Sequence, residues 1–217
     1  MTQLSKKNSF LLADDHSVVR QGIALLIKSE FSTAEIHQAG NLKDSFEILN
    51  ENKIDIMILD INFPDGSSLN FLNTILNIQP EIKIMMFSAY DENIYAMRYL
   101  SAGASGYLNK GSSMEDMVSA IKSMVLTGKY LSANVKSKIL DTYMSKKPIN
   151  PIDDLSKREV EVAKLLIRGF GNLEIAELLE IKKNTVSTFK NRIFEKLDID
   201  NVADLIMFFQ LYYEESH

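Results

Sequence analysis

The chain has no cysteine, which removes disulfide frameworks, thiol nucleophiles and zinc–thiolate sites together. Its three histidines are scattered and make a poor metal cluster. No stretch approaches the roughly 20 apolar residues of a membrane span, and the N-terminus lacks the apolar run of a signal peptide. A cytoplasmic protein without membrane partners is expected. Net positive charge is missing too: the formal charge of -5 argues against non-specific nucleic-acid binding, although a total says little about one face. Proline is scarce, and two of the four, Pro148 and Pro151, stand together around Ile149 and Asn150. Residues 130–151 hold 4 basic and 1 acidic residue, whereas 1–129 hold 11 and 15, and 152–217 hold 9 and 13. A boundary near 147–152 follows, with domains at 1–130 and 152–217 and a linker at 131–151.

What is present in the first 130 residues is an alternation of apolar runs and amphipathic stretches. Residues 10–13 form a short strand ending in Asp14-Asp15, and Val19, Ile23, Leu26 and Ile27 follow at helical spacing. Residues 34–39 alternate like a partly buried strand, before a helix marked by Leu42, Phe46 and Leu49. At 54–66 the chain reads I-D-I-M-I-L-D-I-N-F-P-D-G, an apolar run at 56–59 that ends in Asp60 and breaks at Pro64 and Gly66. A helix striped by Leu69, Leu72, Ile75 and Leu76 comes next. The fourth strand, 82–87, ends in Ser88, and Asp91 suits the N-cap of a helix bearing Ile94, Met97 and Leu100. The fifth, 105–108, ends near Lys110, and Ser113 suits the cap of a helix striped by Met117, Ile121 and Met124. Five strands alternating with five helices predict an α/β domain with a five-stranded parallel sheet covered on both faces, whose ligands bind beyond the carboxyl ends of the strands.

Singly, polar residues at strand ends are ordinary solvated loop residues. Jointly they are not: three carboxylates, Asp14, Asp15 and Asp60, meeting at one sheet edge repel unless a cation joins them, and hard oxygen ligands with room for water suit Mg²⁺. A carboxylate on Mg²⁺ with an ammonium and a hydroxyl nearby has the means to attack a phosphoryl group, so Asp60 would become an aspartyl phosphate that Ser88 and Lys110 then contact. Tyr107 either turns inward when Ser88 moves or packs as an ordinary aromatic over the sheet. Tyr90, two residues after Ser88, is placed to shield the phosphoryl group from water.

Through Asp14-Asp15, Asp60, Ser88-Ala89, Tyr107 and Lys110, residues 8–128 resemble the receiver domain of two-component response regulators. The resemblance implies a doubly wound, flavodoxin-like receiver. It makes Asp60 the phospho-acceptor, with Mg²⁺ on Asp15, Asp60 and the backbone carbonyl of Asn62 and on Asp14 through water. Ser88 and Tyr107 look like the switch pair, and Lys110 looks like the phosphate-binding lysine. Phe63 stands where methionine is usual, and Asp65-Gly66-Ser67-Ser68 departs from the usual glycine pattern, so an unusual loop is expected at 63–68.

Val135, Ile139 and Tyr143, spaced by four, predict a linker helix. Beyond the prolines every signal is helical. Leu155-Ser156-Lys157-Arg158-Glu159 has the form of a capping box, followed by Val160, Ala163, Leu166 and Ile167 and stopped by Gly169 and Gly171. Asn172 is expected to cap a short helix with Ile175, Ala176 and Leu179; helices over 183–197 and about 202–213 complete an all-α four-helix domain with a helix-turn-helix. On the third helix Val186, Phe189, Ile193, Phe194 and Leu197 share one side and Asn184, Ser187, Thr188, Asn191 and Glu195 the other. From Lys182 to Lys196 there are five basic residues and one acidic. Such a strip suits a major groove, and it also suits an ordinary solvated face.

Residues 152–213 are similar to the LuxR-type helix-turn-helix of NarL/FixJ-type response regulators, on Leu155-Ser156, Arg158-Glu159, Gly169, Asn172, Glu174-Ile175-Ala176, Leu179, Thr185-Val186 and Lys196-Leu197. By position, Ser187, Thr188 and Asn191 would face bases in double-stranded DNA, and Lys183, Thr185 and Arg192 would touch phosphate. Lys182 stands where serine usually begins the helix, Glu180 where glycine, Phe189 where histidine and Lys190 where an aliphatic residue is common, departures that point to a weaker helix cap and one weaker phosphate contact. The last helix is apolar almost all round, and in the resembled family it pairs across a dimer. The expectation is a transcriptional regulator, not a turnover enzyme, in which a histidine kinase phosphorylates Asp60 and so controls homodimerisation and sequence-specific DNA binding. A phosphorylation-switched protein-interaction module and an aspartyl-phosphate phosphotransferase or phosphatase are the alternatives.

Overall fold

The computed structural model describes residues 8–145, 148 and 150–213. The chain divides into two compact units, Met1–Ile139 and Leu140–His217. The division falls inside the expected linker, and the boundary expected near 147–152 includes residues 147 and 149, outside the described residues.

In the first unit the elements are β1 (Ser9–Ala13), α1 (Ser17–Glu30), β2 (Glu35–Ala39), α2 (Leu42–Glu51), β3 (Ile56–Leu59), β4 (Asn62–Phe63), β5 (Gly66–Ser67), α3 (Ser68–Ile78), β6 (Lys83–Ser88), α4 (Glu92–Ser101), β7 (Gly106–Asn109) and α5 (Met114–Thr127), and α6 (Ala133–Ser145) begins in it and runs past the division. Five of the strands form one sheet in the order β2-β1-β3-β6-β7, with every pairing parallel. Ile56, Met57, Ile58 and Leu59 are 0–3% exposed, because helices cover both faces of a central parallel strand, and this is why β3 reads as an unbroken apolar run. The edge strand β2 is only partly buried, with Ala39 its one buried residue, and it does not show the alternation expected of it.

The chain runs from β1 outward to β2 and returns to β3 on the other side, so the strand order reverses between β1 and β3. Register then fixes the site: Ala13 pairs with Leu59, which sets Asp14 beside Asp60, and the Asp60 amide donates to the Ala13 carbonyl at 2.9 Å. The polar residues ending β1, β3, β6 and β7 therefore reach one edge of the sheet, at the crevice where strand order switches.

The loop after Asp60 is a small antiparallel hairpin, Asn62 opposite Ser67 and Phe63 opposite Gly66. Its turn residue Asp65 caps another element, accepting from the Leu42 and Lys43 amides at 2.9 and 3.1 Å, two of the unpaired donors at the start of α2. Asn41 caps the same helix locally. Ser67 caps α3, and the buried Ser68 hydroxyl donates to the Ile61 carbonyl at 2.8 Å.

After the end of α6 the second unit holds a 3₁₀ turn (Pro151–Asp154), α7 (Lys157–Ile167), α8 (Asn172–Leu178), α9 (Lys183–Leu197) and α10 (Val202–Tyr212). Val162, Ala163, Leu166, Ile175, Val186, Ile193, Leu197, Leu205 and Phe208 form its buried interior. The capping box at Ser156 and Glu159 is present. Asn172 does not cap α8: Gly171 holds that position, and Asn172, the first helical residue, sends its side chain to Ser187 at 3.1 Å. α10 turns Leu205, Phe208, Phe209 and Tyr212 inward and leaves Val202, Ile206 and Leu211 half-buried, so its apolar surround serves its own core first.

Candidate functional site

At the switch crevice Asp14 and Asp60 are buried, 3% exposed each, while Asp15 is exposed. The Lys110 ammonium, carried in by the end of β7, lies 2.6 Å from Asp14 Oδ2 and 2.8 Å from Asp60 Oδ2. Two buried carboxylates thus share one ammonium, an arrangement that is short of positive charge. Burial pushes the Asp60 carboxyl above its ordinary value against the pull of Lys110. The Lys110 ammonium, disfavoured by burial, is nevertheless held above its ordinary value by the carboxylates of Asp14 and Asp60. The second Asp60 oxygen accepts from the Ile61 amide at 2.7 Å.

Two residues at this crevice escaped the sequence reading. His16 donates its amide to Asp14 Oδ1 at 2.8 Å and sets Nδ1 2.6 Å from Asp15 Oδ1. Arg20, one turn into α1, hydrogen-bonds the Asp14 carbonyl through Nη1. Their sequence signal was only proximity to the acidic pair. Asp14, Asp15, His16 and Asp60 each bring one ligand atom to within 4.8 Å of the others. The three carboxylates are hard oxygen donors, the donor set of a Mg²⁺ site, while Lys110 and His16 occupy part of their lone pairs.

Ser88, 2% exposed at the end of β6, accepts from the Tyr90 amide at 3.3 Å. Tyr107 is wholly buried, so it already points inward; its hydroxyl donates to the Tyr90 carbonyl at 3.0 Å, which also accepts from Asn109 Nδ2 at 2.8 Å. Burial and the nearby Tyr99 push the Tyr107 phenol far up, against its bond with Ser88. The Tyr90 ring stacks on Tyr95 at 4.6 Å, and its hydroxyl meets the exposed Asn62 amide at 2.9 Å. Tyr90 thus ties the hairpin after Asp60 to the loop after Ser88, across the mouth of the crevice.

In the second unit, Lys183, Thr188, Asn191 and Arg192 of α9 are exposed, whereas Thr185 and Ser187 are half-buried. The Ser187 hydroxyl is engaged by Asn172, and Thr188 donates to the Asn184 carbonyl at 3.0 Å. Lys190 sets its ammonium 5.4 Å from the Phe194 ring centroid, at the apolar border of the helix. α9 starts at Lys182 without a side-chain cap, as the departure from serine implied. Glu180, in the turn before it, has φ 53°, the left-handed region that glycine adopts freely. Arg158 donates to the Leu179 carbonyl at 2.6 Å, and Lys196 joins the buried Glu159 at 2.8 Å. Glu159 therefore serves two partners, the α7 cap and α9; only the cap was readable from local spacing.

Residues 10–122 match the family described as response regulator receiver domain, and residues 153–209 match bacterial regulatory proteins, luxR family. The response regulator GacA of Pseudomonas aeruginosa is 30% identical over 198 residues, covering 91% of this chain and 92% of that protein. The oxygen regulatory protein NreC of Staphylococcus haemolyticus is 29% identical over 203 residues, covering 90% and 94%. A solved complex of the two-component response regulator RcsB with DNA shares the fold, with a TM-score of 0.79 at 21% identity, over 95% of this chain and 99% of that one. With a receiver match over more than half its length and a luxR-family match after it, the chain belongs to the two-component transcriptional response regulators that join a receiver domain to a LuxR-type DNA-binding domain.

Proposed function

We propose that Asp60 is the phospho-acceptor through which a partner histidine kinase controls homodimerisation and DNA binding by this regulator. The observation that carries this reading is the buried Asp14–Lys110–Asp60 cluster at the strand-order switch, where two carboxylates share one ammonium. Asp15, Asp60 and the backbone carbonyl of Asn62, with Asp14 through water, would hold Mg²⁺, which when bound would supply the missing positive charge beside the phosphoryl group. The Asp60 carboxylate attacks phosphorus and the kinase imidazole leaves. Lys110 follows the new charge, exchanging a carboxylate for a phosphoryl oxygen. Ser88 donates its hydroxyl to another, giving up its place with Tyr90 and Tyr107. The chemistry ends at the protein, since Asn62 stands two residues beyond Asp60 where a turnover phosphatase of this type would need an acid or base. We assign the protein to the cytoplasm; none of the described helices is long and apolar enough to cross a membrane.

On α9, Thr188 and Asn191 face the base edges, with Ser187 beside them once it shares its bond with Asn172, while Lys183, Thr185 and Arg192 meet phosphates. The domains proposed are a receiver at 1–130, a linker at 131–151 and a DNA-binding domain at 152–217. The direct test is phosphoryl incorporation from acetyl phosphate with Mg²⁺, read by intact mass. The wild-type chain is expected to label and Asp60→Asn to stay unlabelled; undiminished labelling of the variant would overturn the assignment.

A further inference from the structure

After α5 the chain does not leave the receiver. Gly128, with φ 72°, ends α5, and Tyr130 then runs beside β7 as an extra parallel bridge to Gly106, its amide donating to the Ser105 carbonyl at 3.2 Å. A Cβ on Gly106 would stand 2.6 Å from the Tyr130 carbonyl oxygen, so this approach depends on the glycine. Ser132 caps α6 by accepting from the Val135 amide at 3.1 Å, and the first turns of α6 meet the first turn of α4. There Asn93 Oδ1 accepts from Asn134 Nδ2 at 2.8 Å and the Asn93 carbonyl accepts from Lys138 Nζ at 2.7 Å, while Val135 is buried at 2% exposure. Asn134 also reaches Glu92 at 3.4 Å.

The first turn of α4 is itself the end of the loop that carries the switch. Asp91 caps α4 by accepting from the Asn93 amide at 2.9 Å, directly after Tyr90, whose amide is held by Ser88 and whose carbonyl is held by Tyr107 and Asn109. Fewer than six residues separate Ser88 from Asn93, and backbone that short has little slack to absorb a change at Ser88.

We propose that Asn93 latches the start of α6 to α4 in the unphosphorylated chain and that phosphorylation at Asp60 releases it. When Ser88 turns to the phosphoryl group, Tyr90 loses its amide partner, the Tyr90–Asp91 turn resets, and the first turn of α4 withdraws the two acceptors that hold Asn134 and Lys138. The latch is built from exposed polar bonds around one buried valine, so it is light enough for a single phosphoryl group to shift. α6 continues to Ser145, across the division between the two units at 139/140, so its first turns are the part of the connection that the switch can reach. A demonstrated two-state element is the physical warrant such coupling needs, and amide exchange over 133–139 reads it.

The proposal rests on Asp60 being the acceptor, and the test separates the two. Hydrogen exchange of the full chain is followed with Mg²⁺, with and without acetyl phosphate, and intact mass reports labelling in the same sample. Residues 133–139 are expected to exchange about tenfold faster once labelled. Asn93→Ala, which removes the Oδ1 acceptor of Asn134 but keeps the carbonyl that holds Lys138, should show part of that increase without labelling, and Asn93→Asp, which keeps the side-chain acceptor, should restore slow exchange. Full labelling with unchanged exchange at 133–139, or an Asn93→Ala chain that stays protected, would overturn the latch and leave the acceptor assignment standing. Absence of labelling would overturn both.

Discussion

Tyr90 carries more of the site than its place in the sequence implied. Its backbone serves Ser88, Tyr107 and Asn109, its ring stacks on Tyr95, and its hydroxyl bonds Asn62 on the opposite loop. We propose that this side chain screens the crevice from bulk water, the nucleophile that removes an aspartyl phosphate. Tyr90→Gly is expected to shorten the lifetime of the phosphorylated chain several-fold, about 1 kcal/mol in barrier by the usual conversion of rate into free energy. The decay of the labelled species by intact mass gives the rate; equal decay in both chains would show that the phenol shields nothing. Glu180 offers a test of a different kind. A left-handed backbone costs a non-glycine residue about 1–2 kcal/mol, and the greater unfolded-state freedom of glycine offsets part of that gain. Glu180→Gly should therefore stabilise the second unit by about 0.5–1 kcal/mol, read from the urea midpoint followed by circular dichroism.

Among the elements, α9 is held in place by its contacts with α7 and α8, since it has no cap of its own. The Glu159–Lys196 pair joins it to the start of α7, and Lys196 also donates to the Asp154 carbonyl at 2.9 Å. Burial works to raise the Glu159 carboxyl, but Lys196 and Ser156 outweigh it and hold the group below its ordinary value of 4.5. A carboxyl with a depressed folded value stabilises the fold above its unfolded value and loses that contribution as pH falls through the folded one. Stability of the second unit should thus be insensitive to Glu159 above about pH 5 and fall below about pH 4.5, and in Glu159→Gln this acid-side loss should shrink. Urea midpoints between about pH 6 and pH 3 report it, and an identical slope in both chains would remove the pair from the account.

The same elements show what was legible in the sequence. β3 was readable because a strand buried on both faces must be apolar throughout, and Asp60 was readable because it interrupts that rule. Asp14, Ser88 and Lys110 followed from their places at strand ends. The cap on α2 was not readable: Asp65 is more than 20 residues from the amides it serves, and no local pattern reports a bond that the tertiary fold makes. The bond from Lys196 to Glu159 was not readable for the same reason, since the two residues lie 37 apart on different elements. The loop at 63–68 folds as a hairpin, with Asp65 on the α2 amides and Gly66 close to the Leu42 side chain, contacts that no local pattern reports.

At the scale of the whole molecule the question is whether one phosphoryl group suffices as a switch. Moving a two-state equilibrium from 1:99 to 99:1 takes about 5.5 kcal/mol of differential binding. A phosphoryl group forms about one to three charge-assisted hydrogen bonds, each worth about 1.5–3 kcal/mol, and Lys110 and Ser88 are the donors proposed for it. The total is of the right size for a large shift, but not for an absolute one, so some DNA binding by the unphosphorylated chain is expected. The most direct measurement is a random-site DNA selection with the full chain, run with and without phosphorylation and repeated with Asp60→Asn. One recurring motif should emerge, enriched about tenfold or more by phosphorylation of the wild-type chain and unaffected by it in the variant. No motif in either state, or a motif equally enriched whatever the state of Asp60, would contradict the proposed control of DNA binding by phosphorylation.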